Sequence, residues 1–480
     1  MNKIIGFITV LALSFLTIIP LFSNGFFPMH DDTQVARVFE MGKMLKLGVL
    51  PVRWVSDLGY GYGYPIFNFY APLAYYIGGF FNVLGFDALL STKLMIAFAM
   101  LGAGVAMYLL AGEFFGILGG VLAGILYAYA PYHALNLYVR GDVAELYAYI
   151  FLPIIFYGLW KVSHERKWRY VATGALGFAG LILSHNLTAF MAAPFIAAFG
   201  LILLHRARYK RIVFENISFT ALLGVLLSAF YWLPALLQMG STNVLSQVGG
   251  GADYKDHFVC LPQLWESLWG FGGSVVGCVD GLSFRLGKAH VIFALLSVVL
   301  FFIFWQKEKE KREVVLFSLF GAIVSVLMML DFSKPVWDGI PPLAFLQYPW
   351  RYLMLASFFM SLISGYGMFV QKNKKIMFTM LGICIGIIFF VNLKLFAPQA
   401  IVTRSASDYT SVYALKWTAS KISDEYLPKD FKKPKSYDEV NLKSPIEFLK
   451  TPVEEIANLV SIAGVVMVIA GIIYSRKRKK

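Results

Sequence analysis

Long apolar runs separated by short polar segments make up most of the chain. Each run holds 15–22 residues, and a helix of about 20 residues crosses a hydrocarbon core of about 30 Å. The pattern therefore predicts an all-α polytopic integral membrane protein with about twelve transmembrane helices. The predicted spans lie near residues 3–22, 92–112, 117–131, 144–160, 170–184, 187–204, 216–237, 289–305, 314–330, 350–370, 376–396 and 457–475.

The first long polar interval, residues 23–91, contains two segments that we predict to be interfacial. Residues 33–47 place Val35 and Val38 on one face and carry basic residues elsewhere, a pattern typical of an amphipathic helix. Residues 66–90 are apolar enough to span the bilayer, but a span here would reverse the side of nearly every later loop. We therefore predict an interfacial or re-entrant segment whose Phe and Tyr side chains lie among the headgroups.

The basic residues are clustered, and their positions orient the predicted spans. The chain has a formal net charge of +14, yet only 15% of its residues are charged, against about 25% in soluble domains. Twenty of the 42 Lys and Arg residues lie in five short intervals, which indicates that these intervals are cytoplasmic. The five intervals are residues 161–169, 206–211, 307–312, 372–375 and 476–480.

This orientation predicts a multi-pass protein of the cytoplasmic membrane with both termini in the cytoplasm. Residues 1–396 form a transmembrane module with long external loops at 23–91 and 238–288, and residues 397–456 form an external polar segment. Residues 457–480 form a last span and a basic tail. No basic stripe alternates with stacking aromatic residues, so a nucleic-acid partner is not expected.

The external loop 238–288 combines a glycine-rich stretch with a pair of cysteines. The glycines at 249–251 precede two tryptophans, a pattern that fits either a gating loop over a cleft or an inert loop. Cys260 and Cys278 share this loop on the predicted external side, where a disulfide can form. Cys384 lies inside an apolar run and is predicted to be a packed thiol.

Two adjacent carboxylates, Asp31 and Asp32, follow His30 just beyond the first span. Charge close to the membrane is costly and is usually retained for a function, which favours a catalytic or ligand-binding site. A structural interpretation is also open, because an Asp placed before an amphipathic helix is a good N-cap. Capping accounts for Asp32 but leaves Asp31 without a role.

A second group of charges stands at the external start of the fourth predicted span. Asp142 and Glu145 are three residues apart and share one helix face, and Arg140 precedes them. These three residues fit either a substrate-binding site or an interfacial helix cap with a surface ion pair.

Further candidate binding residues lie at the external ends of other predicted spans. Arg351 follows Trp350 and either extends toward headgroups or holds a phosphate through bidentate hydrogen bonds. His185 is either a packing residue or a ligand contact. Arg53, and Tyr64 in the repeated Gly-Tyr run, complete the set of predicted substrate-binding residues.

Several short motifs resemble a known family of membrane proteins. Their order is similar to that of the bacterial and archaeal membrane family labelled "6-pyruvoyl-tetrahydropterin synthase-related", and the single span followed by an acidic pair resembles the GT-C class of glycosyltransferases. The match covers about residues 28–360, and the C-terminal third matches only in hydropathy. The motifs are HDD, PVRW, GYGYPIFNFYAPL, RGDVAEL, SHN and QYPWR.

The GT-C resemblance implies a polyprenyl-phosphate sugar as donor, inversion at the anomeric carbon and an external aspartate as base. On this chain, Asp31 or Asp32 would deprotonate the acceptor hydroxyl or hold a divalent cation. Arg351 or Arg140 would neutralise the phosphate leaving group. The two acids are adjacent here, whereas several GT-C enzymes separate theirs by one residue, so the role of a metal stays open.

These observations predict a membrane glycosyltransferase that acts on the external face of the bilayer and transfers a hexosyl or pentosyl group to a glycan, lipid or protein acceptor. A lipid or polysaccharide transporter or flippase is the first alternative, although such a protein needs polar residues along a path at mid-membrane. A non-catalytic membrane scaffold is the second alternative, in which the motifs serve only as helix caps and anchors.

Overall fold

The chain folds almost entirely into helices in the computed structural model. The structure describes residues 1–165, 167–244, 249, 252–305, 311–445, 447, 448 and 450–477. Within these ranges there is no β-strand, and the extended segments meet only in isolated bridges such as Phe26–Val402. Gly250, Gly251 and parts of the predicted basic intervals 161–169, 307–312 and 476–480 lie outside the described residues.

The long helices coincide with the predicted apolar runs. Polar caps begin several of them: Asn2 Oδ1 accepts from Ile5 N, and Asp87 Oδ1 accepts from Leu90 N, each at 2.8 Å. The helices are Lys3–Phe15 (extended by the 3₁₀ turn Leu16–Phe22), Ala88–Ala128, Val143–Glu165, Trp168–Ser184, Asn186–Arg206, Lys210–Leu227, Ala229–Gln238, Lys288–Ile303, Arg312–Met329, Leu353–Val370, Lys374–Asn392 and Pro452–Lys477.

Shorter helices form the polar intervals between them. They are Gln34–Lys46, Ile66–Phe69, Leu73–Val83, Pro131–Leu135, Leu261–Trp265, Lys334–Gly339, Ala406–Thr410 and Ser420–Ile422, with 3₁₀ turns at Tyr254–Asp256, Pro341–Leu346 and Pro349–Tyr352 and π-helical turns at Asn136–Arg140 and Ala414–Ala419.

Gly116 divides the segment Ala88–Ala128 into two antiparallel helices. Its φ of 75° is a conformation that L side chains rarely adopt. The two halves then pack so closely that a methyl group on Gly124 would lie 2.7 Å from the carbonyl oxygen of Gly104. The reversal explains why the sequence shows two apolar runs, 92–112 and 117–131, within one continuous helical segment.

The protein is a membrane protein with several helices suited to span a bilayer. Among the described residues, eight helices are long and apolar enough to cross a membrane, or nine if the pair Lys210–Leu227 and Ala229–Ser241, bent by 67°, counts as one span. The apolar helix Lys288–Ile303 is shorter. The number of about twelve spans therefore stays a prediction, and so does the side of the membrane on which each terminus lies.

The first polar interval forms helices where the pattern predicts them, but most residues of the helix Gln34–Lys46 are buried in the protein and do not lie on its surface, and its start also differs from the prediction. The amphipathic segment forms the helix Gln34–Lys46, and residues 66–90 form two short helices that are too short to cross a bilayer. The prediction that Asp32 caps the first of these helices is wrong. Thr33 is the N-cap residue and its side chain makes no capping hydrogen bond, because the carboxylate of Asp32 points instead to Arg404.

The polar segment that follows the helix Lys374–Asn392 packs over other long loops as a strap, a name we use for residues 397–451. Phe26 N donates to Val402 O at 2.9 Å, and Asn441 N donates to Tyr60 O at 3.1 Å. The backbone N–H of Lys429 donates to Ser241 O at 3.2 Å. The strap thus ties the first polar interval to the loop that begins at residue 238.

Candidate active site

A cavity of about 770 Å³ opens where several long loops meet. Its walls come from the first polar interval, the turn before the helix Val143–Glu165, the turn at residue 185, the loop 238–288, the segment before Leu353, and the strap. The ionisable side chains that line it are His30, Asp31, Arg140, Asp142, His185, Tyr348, Arg351, Glu425, and the tyrosines 70 and 426. Six of the ten predicted site residues are therefore brought together.

Backbone hydrogen bonds fix the position of Asp31. His30 N donates to Val139 O and Asp31 N donates to Arg140 O, each at 3.0 Å. The side-chain amide of Gln34 donates to Gly141 O at 2.8 Å. These bonds pair the chain around Asp31 with the RGD turn, although more than 100 residues separate them in sequence.

Gly141 permits this pairing. Its φ of 69° lies in the left-handed region, and a Cβ atom there would lie 2.2 Å from Met29 Sδ. Any larger residue would therefore strain the turn and push the first polar interval away from it.

Four buried residues form a charge cluster on the cavity floor, which we define as Arg140, Asp142, Glu145 and Arg351. Arg140 Nη2 lies 2.7 Å from Asp142 Oδ2, and Arg140 Nη1 lies 2.7 Å from Glu145 Oε2. Arg351 Nη1 lies 3.5 Å from Asp142 Oδ2 and 3.4 Å from Glu145 Oε2. The cluster has two charges of each sign, so it is neutral as a unit.

Asp142 serves two purposes within the cluster. Its Oδ1 accepts from Glu145 N at 3.0 Å, which caps the helix Val143–Glu165. Burial alone would raise its pKa, but the positive charges of Arg140 and Arg351 and a hydrogen bond from Glu145 N hold the pKa of Asp142 well below its usual range. Asp142 therefore stays ionised. The helix cap and the ion pair of the structural interpretation are both present, although the pair is buried, and Asp142 also lines the cavity, as the substrate-binding interpretation requires.

Arg351 is bound less tightly than Arg140 and lies on the cavity wall. Its Nε donates to Leu346 O at 3.1 Å, while its Nη2 forms no hydrogen bond or ion pair with the described residues. The chain reaches this position through a γ-turn, in which Tyr348 N donates to Leu346 O at 2.6 Å and Gln347 has a φ of 63°. This turn is rare and strained, and it directs residues 348–351 into the cavity.

Asp31 differs from the other carboxylates of the cavity because its carboxylate forms no hydrogen bond or ion pair with a described side chain, and the amide of Gln34 donates only to its backbone carbonyl oxygen, at 3.2 Å. The residue is exposed to solvent through the cavity, whose walls are protein. The surrounding protein and the charge of Asp142 raise its pKa, an effect opposed in part by Arg37, Arg140 and Arg351. A carboxylate with a raised pKa and no fixed partner is suited to accept a proton.

His185 lies on the same wall and is neutral. Its Nδ1 lies 2.7 Å from Thr188 Oγ1, and burial lowers its pKa in spite of Asp142 and Glu145. A neutral imidazole can give or accept one hydrogen bond in the cavity without adding charge.

The strap contributes Glu425 and Tyr426, which the sequence analysis did not identify. Ser423 Oγ donates to Glu425 Oε2 at 3.1 Å, and Tyr426 N donates to Tyr64 OH at 3.3 Å. Burial raises the pKa of Glu425, and the charge of Arg37 opposes that rise. The only signal in the sequence was an acidic and aromatic run, Asp424 to Tyr426, within an otherwise lysine-rich segment.

Four predicted site residues do not line the cavity. Asp32 lies 3.5 Å from Arg404 of the strap, and Glu145, a member of the charge cluster, is fully buried and does not reach the cavity wall. Arg53 donates to Phe230 O at 2.6 Å and to Asn458 Oδ1 at 2.5 Å, so it joins the first polar interval to two helices. Tyr64 is fully buried, with its OH 3.3 Å from Ser423 Oγ.

The divalent-cation site considered for Asp31 and Asp32 does not fit this arrangement. Asp31 faces the cavity whereas Asp32 faces Arg404, so the two carboxylates do not converge on one point. The part of the chain that the structure describes has no group of three or more His, Cys, Asp or Glu side chains able to hold a metal ion.

A disulfide closes one wall of the cavity. Cys260 and Cys278 are bonded, with their Cα atoms 5.5 Å apart. We name residues 260–282 the stapled loop; its Gly273, Ser274 and Leu282 line the cavity.

Solved structures with a similar arrangement of helices are glycosyltransferases of the GT-C class. The arabinofuranosyltransferase AftD from Mycobacteria superposes with a TM-score of 0.50 at 12% identity, over 84% of this chain and 29% of AftD. The oligosaccharyltransferase of Archaeoglobus fulgidus gives a TM-score of 0.49 at 11% identity, over 90% of this chain and 61% of that protein. At such low identity the similarity to AftD shows the fold alone, which is the predicted GT-C-like polytopic fold.

The sequence itself matches a family of membrane proteins. An uncharacterized protein of Lactococcus lactis subsp. cremoris is 25% identical over 337 residues, which cover 68% of this chain and 53% of that protein. The chain thus spans about half the length of this relative. Residues 67–397 match the family described as "6-pyruvoyl-tetrahydropterin synthase related domain; membrane protein". Because this match covers more than half of the chain, the protein belongs to the 6-pyruvoyl-tetrahydropterin synthase related family of membrane proteins.

Proposed function

We propose that this protein is a membrane glycosyltransferase that moves a sugar from a polyprenyl-phosphate donor to an acceptor hydroxyl or amide at the external face of the cytoplasmic membrane. The observation that carries the proposal is the position of Asp31. Its unpaired carboxylate shares one cavity with the guanidinium groups of Arg140 and Arg351, in a chain with a GT-C-like fold.

The reaction needs a base that takes a proton from the acceptor and a positive charge that stabilises the leaving phosphate. Asp31 accepts the proton of the acceptor as its oxygen or nitrogen attacks the anomeric carbon. The bond between that carbon and the phosphate oxygen breaks, and polyprenyl phosphate leaves with the electron pair. Arg351, whose Nη2 is available on the cavity wall, stabilises the negative charge that develops on the phosphate.

The neutral charge cluster supports this division of roles. Arg140 is held by two carboxylates at 2.7 Å, whereas Arg351 lies at 3.4–3.5 Å from the same two residues. Arg351 can therefore turn toward a phosphate while Arg140 stays bound to both carboxylates. Tyr348 lines the cavity close to Arg351 in the chain, and its ring stacks on that of Trp350 with 4.8 Å between the ring centres.

The test compares Asp31→Asn with Asp32→Asn, neighbouring residues of the same type of which only Asp31 lines the cavity. Each protein is reconstituted in nanodiscs with polyprenyl-phosphate hexose or pentose and envelope glycans, and released polyprenyl phosphate is measured. Loss of a general base should slow Asp31→Asn by about 10²-fold or more, whereas Asp32→Asn should stay close to wild type.

Equal transfer by wild type and Asp31→Asn would overturn the proposed role of Asp31. A wild-type protein that moves the donor across liposomes without releasing polyprenyl phosphate would indicate the alternative function, a lipid transporter or flippase. Absence of both activities with every donor would favour the scaffold alternative.

A further inference from the structure

The stapled loop carries six large apolar side chains that are exposed and that do not line the cavity. Large apolar patches on a protein surface usually mark a site of contact with a partner or a membrane. The exposed fractions of its six large apolar side chains run from 46% to 73%: Leu261, Trp265, Leu268, Val275, Val276 and Val279. The disulfide between Cys260 and Cys278 joins the two halves of the loop that bear them.

This surface begins where the apolar helix Lys288–Ile303 starts. Lys288 Nζ forms an ion pair with Glu266 and lies 5.7 Å from the centre of the Trp265 ring. Leu286 N donates to Leu264 O at 2.9 Å. The stapled loop is therefore attached to the first turn of that helix.

The helix Lys288–Ile303 presents apolar side chains outward along its length. Leu295, Leu296 and Phe302 are each more than half exposed, as expected for a surface that contacts lipid. Its 16 residues extend about 24 Å, which is shorter than the hydrocarbon core of about 30 Å. An apolar surface next to its outer end would complete the lipid-facing wall.

The loop holds this surface in a fixed conformation. Asp280 accepts hydrogen bonds from Gln263 Nε2 at 2.8 Å, Ser267 Oγ at 2.7 Å and Leu268 N at 3.1 Å. On the inner side, Trp350 Nε1 donates to Ser274 Oγ at 3.1 Å. One face of the loop therefore lies on the cavity, and the opposite face presents its apolar side chains.

We propose that the outer face of the stapled loop is a membrane-binding surface that lies in the headgroup and upper acyl region of the bilayer. Tryptophan is a residue type that membrane interfaces favour, so Trp265 suits this position. Lys288 lies at the edge of the surface, where its ammonium group can bind the phosphate groups of lipids. Continuity with the exposed face of Lys288–Ile303 favours lipid over a protein partner. The stapled loop is then a wall with lipid on one side and the reaction cavity on the other.

The test measures the depth of single fluorescent labels in nanodiscs. In a Cys384→Ser background, which removes the unpaired cysteine of the chain, Leu268→Cys and Val276→Cys are labelled with an environment-sensitive dye. The matched control is Leu442→Cys in the strap, since Leu442 is 68% exposed and Leu268 is 73% exposed. The quenchers are phosphatidylcholine with a nitroxide on the upper acyl chain and, separately, aqueous iodide.

We expect the nitroxide lipid to quench the labels at 268 and 276 several-fold more than the label at 442, and iodide to show the opposite order. Mass spectrometry of the intact Cys260–Cys278 peptide establishes that the disulfide has not rearranged. Lipid quenching at 268 and 276 no stronger than at 442 would overturn the proposal. Crosslinking of these positions to a second protein in native membranes, without lipid quenching, would assign the surface to a protein partner instead.

Discussion

At the scale of single residues, the four charges of the charge cluster balance one another, whereas two other carboxylates of the cavity have no ion-pair partner among the described residues. Arg140, Arg351, Asp142 and Glu145 compensate one another within the charge cluster. The two carboxylates without an ion pair to a described side chain are those of Asp31 and Glu425. A charge surrounded by protein and without a partner is costly, so the raised pKa of Asp31 follows from its position and needs no special chemistry.

The geometry of Arg351 can be tested apart from its charge. Arg351→Lys keeps a positive charge but loses the planar fork that binds two phosphate oxygens. If Arg351 stabilises the leaving phosphate, kcat/KM for donor should fall by about 10²-fold, with most of the change in kcat. Arg404→Lys, at an arginine that pairs with Asp32 outside the cavity, is the control and should leave kcat/KM unchanged. A change confined to KM would argue against a role in the transition state.

The pKa of Asp31 predicts how transfer depends on pH. The base must be deprotonated, so the rate falls as pH decreases through the pKa of Asp31 in the folded protein. Because burial and Asp142 raise that pKa, the fall should begin at a higher pH than for a solvent-exposed aspartate. A profile of kcat/KM against pH measures the pH at which this fall begins. A rate that stays flat down to the ordinary pKa of an aspartate would contradict this assignment.

At the scale of elements, the stapled loop depends on its disulfide for a fixed shape. The bonded cysteines are 18 residues apart in sequence, and closing a loop of that length stabilises a fold by about 3 kcal/mol. Cys260→Ser combined with Cys278→Ser should therefore lower the thermal midpoint of the protein in detergent. Cys384→Ser, at a cysteine outside the disulfide, should have a smaller effect. Equal midpoints for the double variant and wild type would mean that the hydrogen bonds to Asp280 hold the loop alone.

The sequence predicts the helices well because their signal is local. Each apolar run coincides with a helix, and the amphipathic pattern of residues 33–47 gives the helix Gln34–Lys46. The cap of that helix was predicted wrongly because Asp32 has a partner, Arg404, that lies 372 residues away. No local pattern encodes such a contact.

The cavity was only partly predictable for the same reason. Its residues from the short motifs, such as Asp31 and Arg351, stand out as charges at the ends of apolar runs. Glu425 lies in a polar segment where a charged residue is ordinary, and only tertiary packing brings it to the cavity wall. Arg53 resembled a ligand-binding residue, yet its guanidinium is used to join helices.

At the scale of the whole molecule, a buried acidic pair connects the first polar interval to the strap. Asp57 N donates to Glu40 Oε2 at 3.0 Å, and Asp57 also binds Lys43 and Ser444. Burial and the charge of Asp57 raise the pKa of Glu40 to about 8. Burial alone would raise the pKa of Asp57 as well, but hydrogen bonds from Lys43 and Ser444 lower it.

These values predict a pH-dependent stability. The folded protein retains the proton of Glu40 at a pH where the unfolded chain has lost it, so stability decreases as pH rises from about 4.5 to about 8. The slope is about 1.4 kcal/mol per pH unit at most. Asp57 titrates below this window and does not contribute to it. Glu40→Gln should remove this decrease in stability. The thermal midpoint of the variant should therefore rise relative to that of wild type as pH rises.

Thermal midpoints of wild type and Glu40→Gln, measured in detergent between pH 5 and pH 8.5, provide the comparison. Asp253→Asn, at an acidic residue that only caps the turn Tyr254–Asp256, controls for the general effect of removing a negative charge. Parallel curves for wild type and Glu40→Gln would contradict the prediction.

The strap also determines when the cavity can exist during biosynthesis. Asp31 and the arginines of the cavity are translated before Glu425 and Tyr426, which follow Asp31 by nearly 400 residues. Until the strap has been made, the helices can insert and pack, but the cavity lacks one wall. A nascent chain would therefore hold its acid and its arginines without a closed chamber in which to use them, so the proposed activity would begin only after residue 426 has been translated.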